Sequence, residues 1–178
     1  YLLHGVDKGS LSKFEKYDCF HWLLEKKAQG LVRHAGFSYH DDAVCLDEIL
    51  TKHPEVEFIQ LQINYLDWES EWIQSRANYE VCVRHGKPVI VMEPVKGGTL
   101  ARVPADAEKL FRTAAPDHSI PSWAIRFAAS LPNVMVVLSG MSNMEQMEDN
   151  ISYMDEFIPL SEEEQKLCFR AGGIINAQ

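Results

Sequence analysis

The sequence is poor in the signals that mark many common functions. No Cys-x-x-Cys pair occurs among its four cysteines, Cys19, Cys45, Cys82 and Cys168. Neither a zinc site nor a dithiol redox motif is indicated, and the four read as buried or partly buried free thiols in a reducing cytoplasm. Basic residues are few, 17 against 26 acidic, for a formal net charge of -9. That balance argues against the basic face on which nucleic-acid binding depends, although one helix N-terminus can still accept a phosphorylated small molecule. No apolar run approaches the roughly 20 residues that span a bilayer, so neither nucleic acid nor membrane is an expected partner. No G-x-G-x-x-G follows the first strand and no G-x-x-x-x-G-K-[S/T] occurs, which removes two common phosphate-binding motifs.

What is present is ordinary globular composition: 178 residues, 46% hydrophobic and 24% charged, enough for one domain with a sizeable core. Tyr1, Leu2 and Leu3 read as the tail of a buried strand with His4 and Gly5 at its C-terminal end. In "SKFEKYDCFHWLLEKKAQG" the residues Phe14, Tyr17, Phe20, Leu23 and Leu24 share one helical face, and Gly30 stops the helix. "LVRHAGFS" reads as a strand. "HDDAVCLDEILTKHP" follows as a helix capped by Asp41 or Asp42, with Pro54 beyond its end.

The pattern then recurs. "EFIQLQIN" is a strand, "ESEWIQSRANYEVCVRHG" a helix closed by Gly86, "KPVIVM" a strand, and "EPVKGGTL" a loop. "ADAEKLFRTAA" and "PSWAIRFAASL" are helices, the second with Pro121 in its first turn. "NVMVVLS" is the last strand. "NMEQMEDNI" and "SEEEQKLCFRAGG" are further helices, the latter opened by a Ser161/Glu164 capping box.

Five strand-then-helix units without a hairpin signal imply parallel strands joined by right-handed crossovers. The apolar runs Val89-Ile90-Val91 and Val134 to Leu138 predict strands covered on both faces. Two architectures fit: an open doubly wound sheet, or part of a (β/α)8 barrel, since a whole barrel needs about 200 residues. Ligands gather at the C-terminal ends of strands in either case. Polar residues recur there, at His4-Gly5, Ser38-Tyr39, Gln62-Asn64, Met92-Glu93-Pro94 and Ser139-Gly140. Taken singly, each reads as a turn former. "VKGGTL" alone reads as a tight loop. "RHAGFSYHDD" lacks a metal-ligand spacing and reads as a solvated turn and helix cap, so no metal site is expected. Glu162 to Glu164 read as a first helical turn that complements the helix dipole.

As a set these strand ends carry a resemblance. "YLLHG", "GLVRHAGFSYHD", "FIQLQINYLD", "VIVMEPVKGGTL" and "VLSGMSNMEQMEDNI" resemble, in order and spacing, the aldo/keto reductase family, and most of all its oxidoreductases with a C-terminal ferredoxin-type iron–sulfur segment. Family members are (β/α)8 barrels that reduce carbonyls with a nicotinamide cofactor. The resemblance implies an incomplete (β/α)8 TIM barrel over residues 1–178, holding strands four to eight with their helices. Tyr1 then begins mid-strand because three βα units precede it in a longer protein, and an iron–sulfur cluster belongs only to the parent beyond Gln178.

The site residues follow from the same resemblance. His4 matches the tetrad histidine that hydrogen-bonds the substrate carbonyl, while the tetrad aspartate, tyrosine and lysine fall outside the chain. Ser38 and Gln62 match residues that hold the nicotinamide carboxamide, and Tyr39 stands where an asparagine is usual. Met92 takes the place of an aromatic that stacks on the nicotinamide, giving a thioether contact instead. Glu93, Pro94, Val95, Lys96, Gly97 and Gly98 match the loop that passes the pyrophosphate. Gly140, Met141, Ser142 and Gln146 fall where the 2′-phosphate is bound, with Gly140 replacing a common lysine and Gln146 a common arginine. Asp149 and Asn150 match the adenine contacts. NADP(H) is the implied cofactor, with NAD(H) as the alternative, and the implied partner is a small carbonyl substrate. The expected function is NAD(P)H-dependent carbonyl reduction in the parent, with the fragment alone inactive. The alternative is a non-catalytic module that binds a nicotinamide cofactor or a partner protein. The strand-end tyrosines Tyr39 and Tyr65 read as packing residues rather than substitute proton donors. Open sheet edges are expected to pair, by self-association or with a supplied complement.

Overall fold

A computed structural model describes residues 1–177. In chain order it runs β1 (Leu2–Val6), α1 (Lys8–Lys16), α2 (Cys19–Ala28), β2 (Gly36–Tyr39), α3 (Ala43–Lys52), β3 (Phe58–Gln62), α4 (Ser75–Arg84) and β4 (Val89–Met92). A 3₁₀ turn at Thr99–Ala101 follows, then α5 (Ala105–Ala114), α6 (Ile120–Ala129), β5 (Val134–Val137), α7 (Met144–Met154) and α8 (Glu162–Asn176). The strands are hydrogen-bonded in the order β1-β2-β3-β4-β5, with β1/β2 and β2/β3 parallel. Strand order equal to chain order, with helical crossovers, is the topology of an incomplete (β/α)8 barrel. Residues cluster into two compact units, one of Tyr1–Gln62 with Glu69–Ile90, the other of Ile63–Trp68 with the chain from Val91 onward.

In the first unit β1 and β2 pair Leu2 with Gly36 and Leu3 with Phe37, but then Val6 with Tyr39, so the register shifts at His4-Gly5. Gly5 makes this bulge with a left-handed φ of 73°, a conformation open to glycine at little cost. Its N–H leaves the ladder and donates to Ser38 Oγ at 2.8 Å. All four residues of β2 are buried, as a strand covered on both faces requires. The helix expected over residues 12–30 is two helices: Asp18 takes a left-handed φ of 51° between α1 and α2. The strand expected over "LVRHAGFS" is confined to its end, since Leu31 to Ala35 are irregular and Leu31 is exposed. Of the two candidate caps for α3, Asp42 serves, accepting from Cys45 N at 3.0 Å. The four cysteines are free thiols, three buried and Cys19 half-buried.

A polar knot closes this unit. Glu57 accepts from Lys27 Nζ at 2.6 Å and from Ala35 N at 2.9 Å, and lies 3.3 Å from His34 Nδ1. The Lys27 ammonium, helped by the Ala35 amide and His34, holds its carboxyl down at about 2 despite partial burial. A carboxyl depressed on folding stabilises the fold above its unfolded pKa and loses that contribution as pH falls through the folded value. Glu57→Gln is therefore expected to cost about 1–2 kcal/mol near pH 7, discounted for partial exposure, and almost nothing near pH 2. Urea unfolding of both proteins across that range measures the convergence. A gap that persists at pH 2 would rule the carboxylate out as its source.

The second unit has an aromatic core. Phe111 stacks on Trp123 with centroids 4.8 Å apart, and Phe127 meets Tyr65, Trp68 and Phe169 edge-on. Arg126, only 6% exposed, donates to His118 Nδ1 at 3.0 Å and faces Glu164 at 3.6 Å. Ser161 and Glu164 form the expected capping box of α8. One expectation fails here. The run Val134 to Leu138 is not covered on both faces, for Met135, Val136 and Leu138 are all more than 40% exposed. β5 is the last strand in the sheet order, and α7 after it buries no residue, so no described layer of this unit covers that side.

Candidate functional site

The loop that leaves β4 is unusual in its backbone. Glu93, Lys96, Gly97 and Gly98 all have left-handed φ values, 55°, 49°, 58° and 93°. Two are glycines, as such a path favours, but Glu93 and Lys96 are not, and each is held there against its preference. The loop satisfies its own amides. Gly97 N donates to Glu93 Oε2 at 2.6 Å, and the amides of Lys96, Gly98 and Thr99 donate to carbonyls of Glu93, Val95 and Lys96.

This loop forms one wall of a pocket of about 270 Å³ in the second unit. Glu93, Pro94, Val95, Gly97 and Gly98 come from the loop, Pro121 and Ile125 from α6, and Leu138 to Met141 from the end of β5. The first turns of α7 supply Gln146, Asp149 and Asn150. Asn143 caps that helix, accepting from Gln146 N at 2.9 Å. Gln146 Oε1 in turn accepts from Ser142 N and Ser142 Oγ at 2.7 and 3.1 Å. Asp149 accepts from Ser119 Oγ at 2.7 Å, and Asn150 Nδ2 donates to Ser139 Oγ at 2.9 Å. The Tyr153 hydroxyl donates to Asn150 Oδ1, and burial pushes its pKa up. Two carboxylates, two side-chain amides and a hydroxyl face a wall of apolar carbons. No lysine or arginine is among the described lining residues. Such a lining suits hydroxyl-bearing groups better than a bare phosphate.

Ten of the sequence-predicted residues meet in this pocket: Glu93, Pro94, Val95, Gly97, Gly98, Gly140, Met141, Gln146, Asp149 and Asn150. Three of the others in this unit do not line it. Met92 is the half-buried end of β4, Ser142 is turned to Gln146, and Lys96 is ion-paired with Asp67. Sequence reading missed Pro121, Ile125, Ala101 and Leu138 as lining residues. The 121/125 spacing of one helical turn was a usable signal, because residues four apart share a face.

The first unit holds the remaining predicted residues. His4 stands exposed at the β1 bulge, its ring 6.4 Å from that of His40. Partial burial, then the facing His4, push His40 below its ordinary value. Ser38 is fully buried, its Oγ accepting from Gly5 N. Gln62, half-buried at the end of β3, lines a smaller pocket of about 130 Å³ with Tyr39, His40, Asn78 and Trp72. Trp72, 90% exposed, went unnoticed in sequence, although a tryptophan within the acidic run "DWESEW" is an odd solvent-facing residue. Tyr39 donates its hydroxyl to Asp42 O at 2.7 Å and burial raises its pKa. In the second unit Tyr65 is buried among Phe111 and Phe127, also with a raised pKa. Both are packing residues, as expected. Among the described residues no group of three His, Cys, Asp or Glu is placed to hold a metal. No described helix is long and apolar enough to cross a membrane.

The polar strand ends, the glycine-rich loop and the β5–α7 turn thus occur in the order expected from the resemblance, and residues 3–171 match the aldo/keto reductase family. The chain belongs to the aldo/keto reductase family. No curated protein matches it. Among solved structures, the holo form of aldo-keto reductase AKR11C1 from Bacillus halodurans aligns with a TM-score of 0.73 at 24% identity, over 96% of this chain and 59% of that one. An aldo/keto reductase from Klebsiella pneumoniae, in complex with NADP and acetate, aligns with a TM-score of 0.72 at 19% identity, over 96% and 57%. The likeness establishes the shared barrel fold. The chain spans less than two thirds of the length of either neighbour.

Proposed function

We propose that this aldo/keto reductase chain is the cofactor-binding portion, strands four to eight, of an NAD(P)H-dependent oxidoreductase that reduces small carbonyl compounds. The observation that carries the reading is the second-unit pocket, which gathers ten residues assigned to the cofactor by family resemblance. When bound, the nicotinamide cofactor supplies the hydride. The pocket's size suits the adenosine portion of the dinucleotide, with Asp149, Asn150 and Gln146 meeting hydroxyl and ring-nitrogen groups. In the first unit His4, exposed at its bulge, is the residue that hydrogen-bonds the substrate carbonyl. Ser38 and Gln62 are the carboxamide-holding residues; the Ser38 hydroxyl, with its acceptor side taken by Gly5 N, keeps its proton to donate.

The NADP complex of the Klebsiella neighbour supports NADP(H). The lining of this pocket offers its 2′-phosphate no cation, so the phosphate contributes little. Fluorescence titration is expected to show both NADPH and NADH bound, with dissociation constants within about tenfold of each other. Absence of binding by either would overturn the reading.

A second reading, binding without turnover, is favoured by the state of Tyr39 and Tyr65. One is hydrogen-bonded and the other buried, so neither strand-end tyrosine is placed to act as the general acid. The first reading places the proton-donating tyrosine outside this chain, so turnover is assayed on the longer parent protein. There, oxidation of NADPH on adding a small aldehyde supports the first reading, and tight binding with no oxidation supports the second.

A further inference from the structure

Lys96 stands in the glycine-rich loop, where a lysine invites assignment to a phosphate. Its ammonium is instead committed elsewhere. Nζ donates to both carboxylate oxygens of Asp67, at 2.6 and 2.8 Å. The Asp67 side chain is 7% exposed and that of Lys96 34% exposed, so the pair lies largely out of water, where a charge-assisted contact is strong.

Behind it sits Asn64, fully buried. Its Nδ2 donates to Asp67 Oδ2 at 2.9 Å and to the carbonyl oxygen of Glu93 at 3.1 Å. Its Oδ1 accepts from the amides of Leu66 and Asp67 at 3.1 and 2.9 Å. The turn after Ile63 is thereby fixed and presents two grips to the loop. One grip, Asn64, holds the carbonyl of Glu93. The other, Asp67, holds the side chain of Lys96.

Glu93 and Lys96 are the two non-glycine residues of the loop with left-handed backbone. Residues held in that region persist only where surrounding contacts over-determine them. Here the contacts fall on the two strained positions and leave Gly97 and Gly98, which tolerate the conformation unaided, to line the pocket.

We propose that Asn64, Asp67 and Lys96 form a latch that holds the Glu93–Gly98 loop in its left-handed path, and that Lys96 is a positioning residue for the pocket rather than a phosphate ligand. The latch determines how well the loop is ordered before any nucleotide arrives. The nucleotide arm of its test rests on the cofactor reading above, while the loop-order arm does not.

The test compares the chain with Lys96→Met, Lys96→Arg and Asp67→Asn. Hydrogen exchange at the Gly97 and Gly98 amides reads loop order, and titration with NADPH and NADH reads the pocket. Lys96→Met is expected to speed exchange at both amides by about tenfold or more, as local opening becomes easier. It is expected to weaken NADPH and NADH by the same factor, again about tenfold. Asp67→Asn, though Asp67 does not line the pocket, gives the same pattern, and Lys96→Arg restores most of both readouts by keeping the charge.

Unchanged exchange in folded Lys96→Met overturns the latch. Weakening confined to NADPH also overturns it, as the signature of a 2′-phosphate ligand. Equal weakening of both nucleotides without faster exchange does so too, as the signature of a ligand to the pyrophosphate they share. Should Lys96→Met not fold, Asp67→Asn, which removes the charge that holds Lys96 and keeps the side-chain volume, carries the same comparison. If the wild-type chain binds neither nucleotide, the cofactor reading falls, and the exchange arm alone decides the latch.

Discussion

Gly36→Ala is expected to destabilise the first unit by about 3 kcal/mol, at the upper end of overpacking effects. Gly36 opens β2 and pairs with Phe58 of β3. A methyl group on Gly36 would lie 2.5 Å from the Phe58 carbonyl oxygen and 2.6 Å from two of its ring carbons. The ring, 7% exposed, has little room to turn away, and the carbonyl belongs to the parallel ladder that defines the sheet. The strand must therefore separate locally or Phe58 must leave its rotamer, and both are costly in a close-packed interior. The requirement is for space and not for backbone freedom, unlike that at Gly5, where φ is 73° and the site of a methyl is open. Thermal unfolding should show a midpoint lower by about 6–12 °C for a loss of this size. An unchanged midpoint would mean that β2 and β3 adjust without cost.

Element types were legible in the sequence because they rest on local signals. Asp42 before an apolar helical stripe and Ser161 three residues ahead of Glu164 mark helix starts that the structure keeps. The strand-to-helix alternation was equally plain. What was not legible depends on partners distant in sequence. The break at Asp18 interrupts a run whose apolar spacing is helical throughout, so nothing local announces it. "LVRHA" has strand composition, yet the ladder begins only at Gly36, where β1 and β3 supply partners. β5 shows the reverse case. Its apolar run predicts double cover, but composition cannot say whether a covering layer is there.

The candidate site divides along the same line. Strand-end positions and the glycine-rich loop could be read directly, since chain order fixes which residues reach the ends of parallel strands. The fate of Lys96 could not be, because the charge that captures it lies 29 residues away. Asn64 reads as a turn former, and it is one. The grip that it and Asp67 take on the loop appears only when the two stretches are brought side by side. Pro121 was visible as a helix-starting residue, but its place in the pocket depends on how α6 packs.

That packing sets the remaining prediction. Trp123 lies on α6 between Pro121 and Ile125, the two helix residues that line the pocket, and is 1% exposed. Trp123→Ala is expected to cost about 3–5 kcal/mol, the range for deleting a buried aromatic side chain. Trp123→Phe is expected to cost about 1 kcal/mol or less. A phenyl ring keeps most of the stack on Phe111, and the indole N–H it removes is buried with no hydrogen-bond partner among the described residues. Losing such a donor relieves a desolvation penalty of about 1–3 kcal/mol, which offsets the smaller volume. The Arg126 guanidinium, 6.0 Å from the indole centroid, is at the limit of a cation–π contact and retains His118 and Glu164 as partners. Urea unfolding of both variants measures the two costs. A Phe variant as unstable as the Ala variant would show that the indole nitrogen is engaged after all, and that α6 is held to its place beside the pocket by a polar contact and not by the aromatic stack alone.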